Sequence, residues 1–445
     1  MKLPMIQWDQ SGLAPHELEH YATSLREEIS RVREAGNGLY ESDYASINLP
    51  LDKHHLQLCK KAAAKHKGVS LIIVVGIGGS NLGTKAIQEA ILGIQHNLLP
   101  GKRPKILFSD TVDADSIARI NAILLQELKA KRRVVLDIIS KSGGTTETVA
   151  NTEILIQTLQ EHSVNKRRWK EQVVMTTDED SHLWHFAKQE GFYVLPMPKK
   201  VGGRYSVFSP VGLFPLAILG LDIQKLLDGA AHMRAECLKE HGVQHQNPAV
   251  LRAAILAHAK HSGRNIADNF FFKTDLESLG KWYRQLMGES IGKEWDKMHT
   301  RRIWMGMTPT VSIGSTDLHS MAQLYFGGPN DKFFTLFTVK QWTNKAQVPN
   351  MRQYDALVPN VQGRKLDFIM EAISDSVAIT LAKQRRPFCR IELPDTTERS
   401  IGALLQLHMF EMIYLAALLG VNPFDQPNVE DYKIETKRIL AGAKR

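Results

Sequence analysis

Two rhythms of apolar and polar residues run along the chain. From about Pro15 to Glu34, Leu18, Ala22, Leu25, Ile29 and Val32 recur at helical spacing, which predicts one amphipathic helix. Short β-branched runs then alternate with helical patterns. Leu71–Val75 leads into a glycine cluster and a helix through Ala86, Ile87, Ala90 and Ile91; Lys105–Phe108 precedes a helix with Ile117, Ile120 and Leu124. Val134–Ile139 reaches a polar turn and a helix from about Glu147, and Val173–Met175 and Phe192–Leu195 continue the series. Mostly apolar runs separated by helices belong to strands covered on both faces, so the pattern predicts a parallel, doubly wound sheet with helices on both sides.

A helical stretch between about Pro210 and His261 separates this series from a second one. Its strands fall near Asn269–Lys273, Thr310–Ile313, Phe333–Val339 and Phe388–Leu393; its helices fall at Leu279–Met287, Leu366–Lys383, Ile401–Leu419 and Val429–Ala441. The expected α/β organisation is an N-terminal helical arm over 1–45, a first doubly wound parallel-sheet domain over 46–215, and a second over 216–445 that ends in a C-terminal helix. No short-period repeat is visible.

Composition narrows the class. A chain of 445 residues with 43% hydrophobic and 23% charged residues is built like an ordinary globular protein of two domains, which excludes disordered, collagenous and disulfide-scaffold readings. The balance of 56 Lys+Arg against 47 Asp+Glu leaves +9, compatible with nucleic acid, an acidic membrane or a small anion. Cys59, Cys237 and Cys389 are sparse, lack metal-ligand spacing and fit a reducing compartment, so a cytoplasmic location is expected. The uncharged stretches Gly68–Thr84 and Tyr205–Leu221 are interrupted by glycine, proline and serine and read as buried elements, with no membrane partner expected.

Chemistry concentrates at two strand-to-helix turns, the usual ligand position in an open α/β sheet. Gly76-Ile77-Gly78-Gly79-Ser80-Asn81-Leu82-Gly83 lacks a GK[ST] ending and has Asn81 where a dinucleotide fingerprint needs its third glycine. Its glycines let backbone amides approach an anion, and Ser80 can cap the next helix. Ser140-Lys141-Ser142-Gly143-Gly144-Thr145-Thr146-Glu147-Thr148 sets five hydroxyls and a lysine around two glycines, more than one helix cap requires. Two such loops in one sheet favour a phosphate group over plain caps.

Two other signals are decoys. His16-Glu17-Leu18-Glu19-His20 matches the zincin pattern, yet both histidines lie about 160° and 200° round the helix from Leu18, on the solvated face. No metal is expected. Lys131-Arg132-Arg133 and Lys166-Arg167-Arg168-Trp169-Lys170 sit between elements and form no nucleic-acid module, so nucleic acid is not an expected partner.

Further polar segments close elements in the second half: Gly288-Glu289-Ser290-Ile291-Gly292-Lys293, Gly314-Ser315-Thr316-Asp317-Leu318-His319-Ser320, and Asn422-Pro423-Phe424-Asp425-Gln426-Pro427-Asn428 leading to Lys433. Singly, each could be a cap or a surface loop. Together with Val201-Gly202-Gly203-Arg204-Tyr205-Ser206-Val207-Phe208-Ser209, and in this order from Gly76 to Lys433, the chain resembles the glucose-6-phosphate isomerase (phosphoglucose isomerase) family, built from two sugar-isomerase (SIS) domains. The resemblance implies an aldose–ketose isomerase that interconverts D-glucose 6-phosphate and D-fructose 6-phosphate through a cis-enediol(ate), a step of glycolysis and gluconeogenesis, with no cofactor.

Carried onto this chain, the family pattern makes Glu289 the base that moves a proton between C1 and C2, and Arg204 the cation that stabilises the intermediate. His319 and Lys433 match the pair assigned to ring opening, and Gln426 a substrate-binding glutamine. Gly78, Gly79, Ser80, Ser140, Lys141, Ser142 and Thr145 match the loops around the sugar phosphate. The family's histidine segment comes from a neighbouring subunit, which implies a homodimer with shared sites. Lys199, Ile291 and Asn428 depart from the family pattern. The chemistry suits these residue types: proton abstraction beside a carbonyl needs a positioned carboxylate, and an enediolate needs a cation that keeps its charge. A non-catalytic sugar-phosphate sensor and a dual phosphoglucose/phosphomannose isomerase are the alternatives.

Overall fold

A computed structural model describes residues 2–101, 103–242 and 246–442. In chain order its strands are β1 (Met5–Gln7), β2 (Val69–Val75), β3 (Lys105–Ser109), β4 (Arg133–Ile139), β5 (Val173–Asp178), β6 (Tyr193–Met197), β7 (Ile266–Phe271), β8 (Lys293–Trp295), β9 (Arg302–Met305), β10 (Thr308–Ile313), β11 (Lys332–Val339) and β12 (Phe388–Leu393). The first sheet is all parallel in the order β3-β2-β4-β5-β6. The second runs β1-β12-β11-β7-β10, parallel except for β1. Apart from β1 and β6, each sheet places its strands in the same sequence of crossovers, so the two halves share one winding plan.

The apolar runs are explained by what covers them. In β2, Ile72 and Val74 enter one core cluster while Leu71, Ile73 and Val75 enter another. In β11, Phe333 and Phe337 join that first cluster, and Phe334 and Leu336 pack on the outer side. One central core therefore lies between the sheets and is shared by both. The expected division near residue 215 falls inside the helix Pro210–Ile218, whose Val211, Leu213, Phe214 and Leu216 are part of that shared core.

Three features depart from the sequence expectations. The predicted helix over 15–34 is two helices, Pro15–Ser24 and Arg26–Ala35, joined at buried Leu25 where ψ is −4°. The arm is not wholly helical, because β1 pairs antiparallel with β12, Met5 facing Glu392 and Gln7 facing Arg390. A small hairpin of β8 and β9 follows the glutamate-bearing helix Glu277–Ile291.

Glu398–Leu418 is long and apolar enough to cross a membrane, but 89% of its most apolar window is buried within the protein. It packs on helices Ile223–Cys237, Pro248–His261 and Glu277–Ile291; a helix apolar on all sides is a core helix here. It also carries a buried charge network. Glu411 accepts from Arg252 at 3.1 Å and Tyr283 at 2.7 Å, and its other oxygen lies 2.6 Å from His408 Nδ1. Burial pushes the Glu411 carboxyl up, but Arg252 and His408 outweigh it and hold it at about 2. Tyr283 lies on helix Glu277–Ile291, so this network fixes that helix against the core.

Removing the counter-charge would strand a buried guanidinium. Glu411→Gln should lower unfolding stability by about 3–5 kcal/mol in urea titrations; a loss below about 1 kcal/mol would show that Arg252 finds other compensation.

Candidate active site

β2 and β4 are neighbours, and the chain leaves them toward opposite edges of the first sheet. Their carboxyl ends form the crevice where doubly wound sheets bind ligands. Both hydroxyl- and glycine-rich loops emerge there. After β2, the turn Gly78–Ser80 leads into helix Leu82–Leu92, which starts without a side-chain cap, so the Ser80 hydroxyl is not used as the expected cap. After β4, Ser140 is buried; its Oγ lies 3.1 Å from Thr145 Oγ1 and accepts from the Gly143 N–H at 3.1 Å. The Gly144 N–H reaches Ser142 Oγ at 3.4 Å, and helix Thr146–His162 likewise begins uncapped by a side chain. Such helix starts leave amide donors for an anion.

The turn 198–206 lies against both loops. A Cβ on Gly79 would stand 2.1 Å from the carbonyl carbon of Gly203, so only glycine permits this approach. Ser206 Oγ donates to the Gly79 carbonyl at 3.3 Å. From the other loop, the Lys141 ammonium donates to the Val201 carbonyl at 3.0 Å. Burial pulls this ammonium down while Asp178 opposes the shift. Lys141 thus ties the hydroxyl loop to the arginine-bearing turn.

Arg204, 1% exposed, is the centre of the cluster. Its Nε donates to Ser290 Oγ at 3.0 Å, and Nη2 donates to the carbonyls of Pro423 at 2.5 Å and Asp425 at 3.1 Å. Nη1 donates to Glu289 Oε2 at 3.1 Å and to Gln426 Oε1. Glu289 stands in the last turn of helix Glu277–Ile291 with its side chain 31% exposed, and its second oxygen accepts from Gln285 Nε2 at 3.0 Å. Gln285 also borders the first loop, since a Cβ on Gly78 would lie 2.9 Å from its amide nitrogen. Arg204, Glu289 and Gln426, widely spaced in sequence, meet in one place.

The other two expected groups stand apart from that cluster. His319 ends the turn Thr316–His319 after β10 and is exposed; Asp317 secures the turn by accepting the Ile313 N–H at 2.7 Å and the Ser320 hydroxyl at 2.8 Å. Lys433 lies on helix Glu430–Gly442, which has no buried residue, and donates to Glu430 at 2.7 Å. That helix exposes Tyr432, Ile434, Ile439 and Leu440. Asn428, in the turn before it, donates to Glu294 at 2.9 Å.

The remaining sequence signals resolve simply. Among the described residues, no group of three His, Cys, Asp or Glu side chains could hold a metal. His16 and His20 are exposed, and Glu17 accepts the Ala14 N–H at 2.8 Å as a helix cap. Lys131, Arg132 and Arg133 are exposed, as are Lys166, Arg167 and Arg168. The motifs did not single out Gln285, Tyr205 or Asp178. Tyr205 shares Ser290 Oγ at 2.8 Å and lies under the Arg204 guanidinium; the adjacency of Tyr205 to Arg204 and of Ser290 to Glu289 was the available signal.

The fold comparisons define a class. A hypothetical protein of Thermus thermophilus superposes with a TM-score of 0.86 at 29% identity, covering 99% of this chain and all (100%) of its own. A glucose-6-phosphate isomerase of Chlamydia trachomatis has the same fold, with a TM-score of 0.81 at 19% identity over 98% of this chain and 88% of that one. The protein is thus an α/β protein with the sugar-isomerase fold. A family model described as phosphoglucose isomerase matches residues 56–444. A glucose-6-phosphate isomerase of Rubrobacter xylanophilus is 33% identical over 427 residues, 95% of this chain and 93% of the relative. One of Carboxydothermus hydrogenoformans is 31% identical over 444 residues, 98% of this chain and 92% of the relative. The chain belongs to the phosphoglucose isomerase family.

Asp178 at the end of β5 adds a pH test. Burial raises its carboxyl from the usual 3.8 to about 6, with Lys141 opposing. The folded protein therefore holds a proton that the unfolded chain has released, so this group's contribution to stability is lost as pH rises through about 6. Asp178→Asn should gain stability over the parent between pH 4 and 7, by about 2 kcal/mol in urea titrations. A difference that stays constant with pH would show that the carboxyl titrates normally.

Proposed function

We propose that the protein interconverts D-glucose 6-phosphate and D-fructose 6-phosphate, and that Glu289 is the proton-transferring base. The observation that carries the residue assignment is the Arg204–Glu289 pair, with Gln426 on the same guanidinium, beside two loops fitted to a phosphate. The sugar phosphate would be held by amides near Gly78 and Gly79 and by Ser80, Ser140, Ser142 and Thr145, with Lys141 holding the second loop to the Arg204 turn. Glu289 removes the C2 proton of the open-chain aldose and returns it to C1, while the O2 hydroxyl proton passes to O1, so that C2 becomes the carbonyl and C1 carries the hydroxyl. As the carboxylate is protonated, its negative charge reappears on the substrate oxygen. Arg204 sits beside the carboxylate and cannot lose its own charge, so it follows that transfer without reorganisation.

Ring opening needs a proton delivered to the ring oxygen and another removed from the anomeric hydroxyl. His319 and Lys433 are assigned to these steps. The family resemblance assigns the histidine segment to a neighbouring subunit, so a homodimer with shared sites belongs to this reading, and the exposure of His319 is compatible with it. The three buried, free cysteines support a cytoplasmic setting.

Glu289→Gln should lower isomerisation and C2-proton exchange at least about 100-fold while leaving circular dichroism unchanged. Wild-type-like exchange would overturn the assigned base, and saturable binding without turnover in the parent would favour the sensor. Shared sites have their own test. Mixing unfolded Glu289→Gln and His319→Asn chains and refolding them should restore about a quarter of wild-type activity, because half the dimers are mixed and each has one intact site. No recovery would mean that each chain supplies its own histidine.

A further inference from the structure

Resting on the assignment of Glu289 as the base, a second buried cation takes on a role in placing it. Lys293, on β8 two residues beyond the glutamate-bearing helix, is 7% exposed. Its ammonium donates to the Glu289 carbonyl at 2.8 Å, to Asp425 Oδ1 at 2.9 Å and to the Asp425 carbonyl. An ammonium has three donors, and all three are engaged within the protein. No donor remains for a substrate.

Both ends of this contact matter. A helix leaves its last carbonyls without intrahelical partners, and a cation there also meets the negative end of the helix dipole. Here the Gly288 carbonyl accepts the Gly292 N–H at 3.0 Å, and the Glu289 carbonyl accepts from the Lys293 ammonium. Asp425 precedes Gln426, and its carbonyl also accepts from Arg204 at 3.1 Å. Its other carboxylate oxygen is held by Asn422 Nδ2 at 3.0 Å and lies 3.4 Å from His299 Nε2. The bonds thus close a ring: Glu289 backbone to Lys293, Lys293 to Asp425, Asp425 to Arg204, and Arg204 to the Glu289 carboxylate.

We propose that Lys293, through Asp425, is the positioning residue that fixes the Glu289 carboxylate against the Arg204–Gln426 side of the site. It clamps the end of the base helix to the loop carrying Gln426, so the base and the substrate-facing amide hold one spacing. Misplacing a reacting group by about 1 Å can reduce a rate about 100-fold even when binding is intact.

The test compares Lys293→Met with the parent, using glucose 6-phosphate and its C2-deuterated form. The expected result is a kcat lowered about 10- to 100-fold, a KM within about threefold of the parent, and a larger deuterium isotope effect as proton transfer becomes limiting. Asp425→Asn, which keeps the backbone carbonyl, should move kcat in the same direction by less, and the double variant should be no worse than Lys293→Met. Should Lys293→Met not fold, Asp425→Asn carries the kinetic test alone. Hydrogen exchange should quicken in peptides over 286–292 and 421–427 and stay unchanged over 138–146. Unchanged kcat and isotope effect in a folded variant, a rise in KM alone, or additive losses would overturn the positioning role. An inactive parent would overturn the reading of Glu289 instead, while the exchange data would still report whether Lys293 clamps the two segments.

Discussion

The site depends on one buried cation. Arg204 cannot shed its charge, and a guanidinium taken out of water must be hydrogen-bonded throughout. Every nitrogen of its head has a partner, and those partners come from the base helix and from the loop 423–426. The demand of that one group brings together segments that would otherwise belong to separate parts of the chain. Glu289, the group assigned to the C1–C2 proton transfer, is held by one of the same bonds that make the buried charge tolerable.

Each sheet supplies a different part. The first offers loops at its switch point, where backbone amides and small hydroxyls can surround an anion. The second offers the far end of a helix anchored by Tyr283 and Glu411 in the core. The glycine contact between residues 79 and 203 seats the Arg204 turn on the first loop, and Arg204 then bonds Ser290 and Glu289 at the end of that helix. One central core shared by both sheets keeps them in register, which a flexible linker between domains would not do.

Much of the fold is legible in the sequence because both faces of most strands are covered. Leu71–Val75 is then apolar at every step and Phe333–Val339 at all but Thr335 and Thr338, and such runs are hard to mistake. β1 is three residues long, too short for any periodicity, and its pairing partner is in the last strand of the chain. The β8–β9 hairpin is mixed in polarity and takes its shape from tertiary bonds. Motif resemblance located Arg204, Glu289 and Gln426, and the structure joins them. The same reading placed Lys141 around the phosphate; one of its three ammonium donors bonds the Val201 carbonyl. That tie between two loops is tertiary, and local sequence does not contain it.

The edge strand β1 also gives the chain a temporal order. Its partner β12 is made roughly 380 residues later, which at ribosomal rates of about 5–20 residues per second is a wait of about 20–80 s. Throughout that interval Leu3, Ile6 and Trp8, which later pack on the core, have no sheet to join. A nascent chain released before residue 388 would never acquire that partner. Sealing this edge therefore waits until synthesis has passed Leu393, and an unsealed edge would mark a product that stops before that strand.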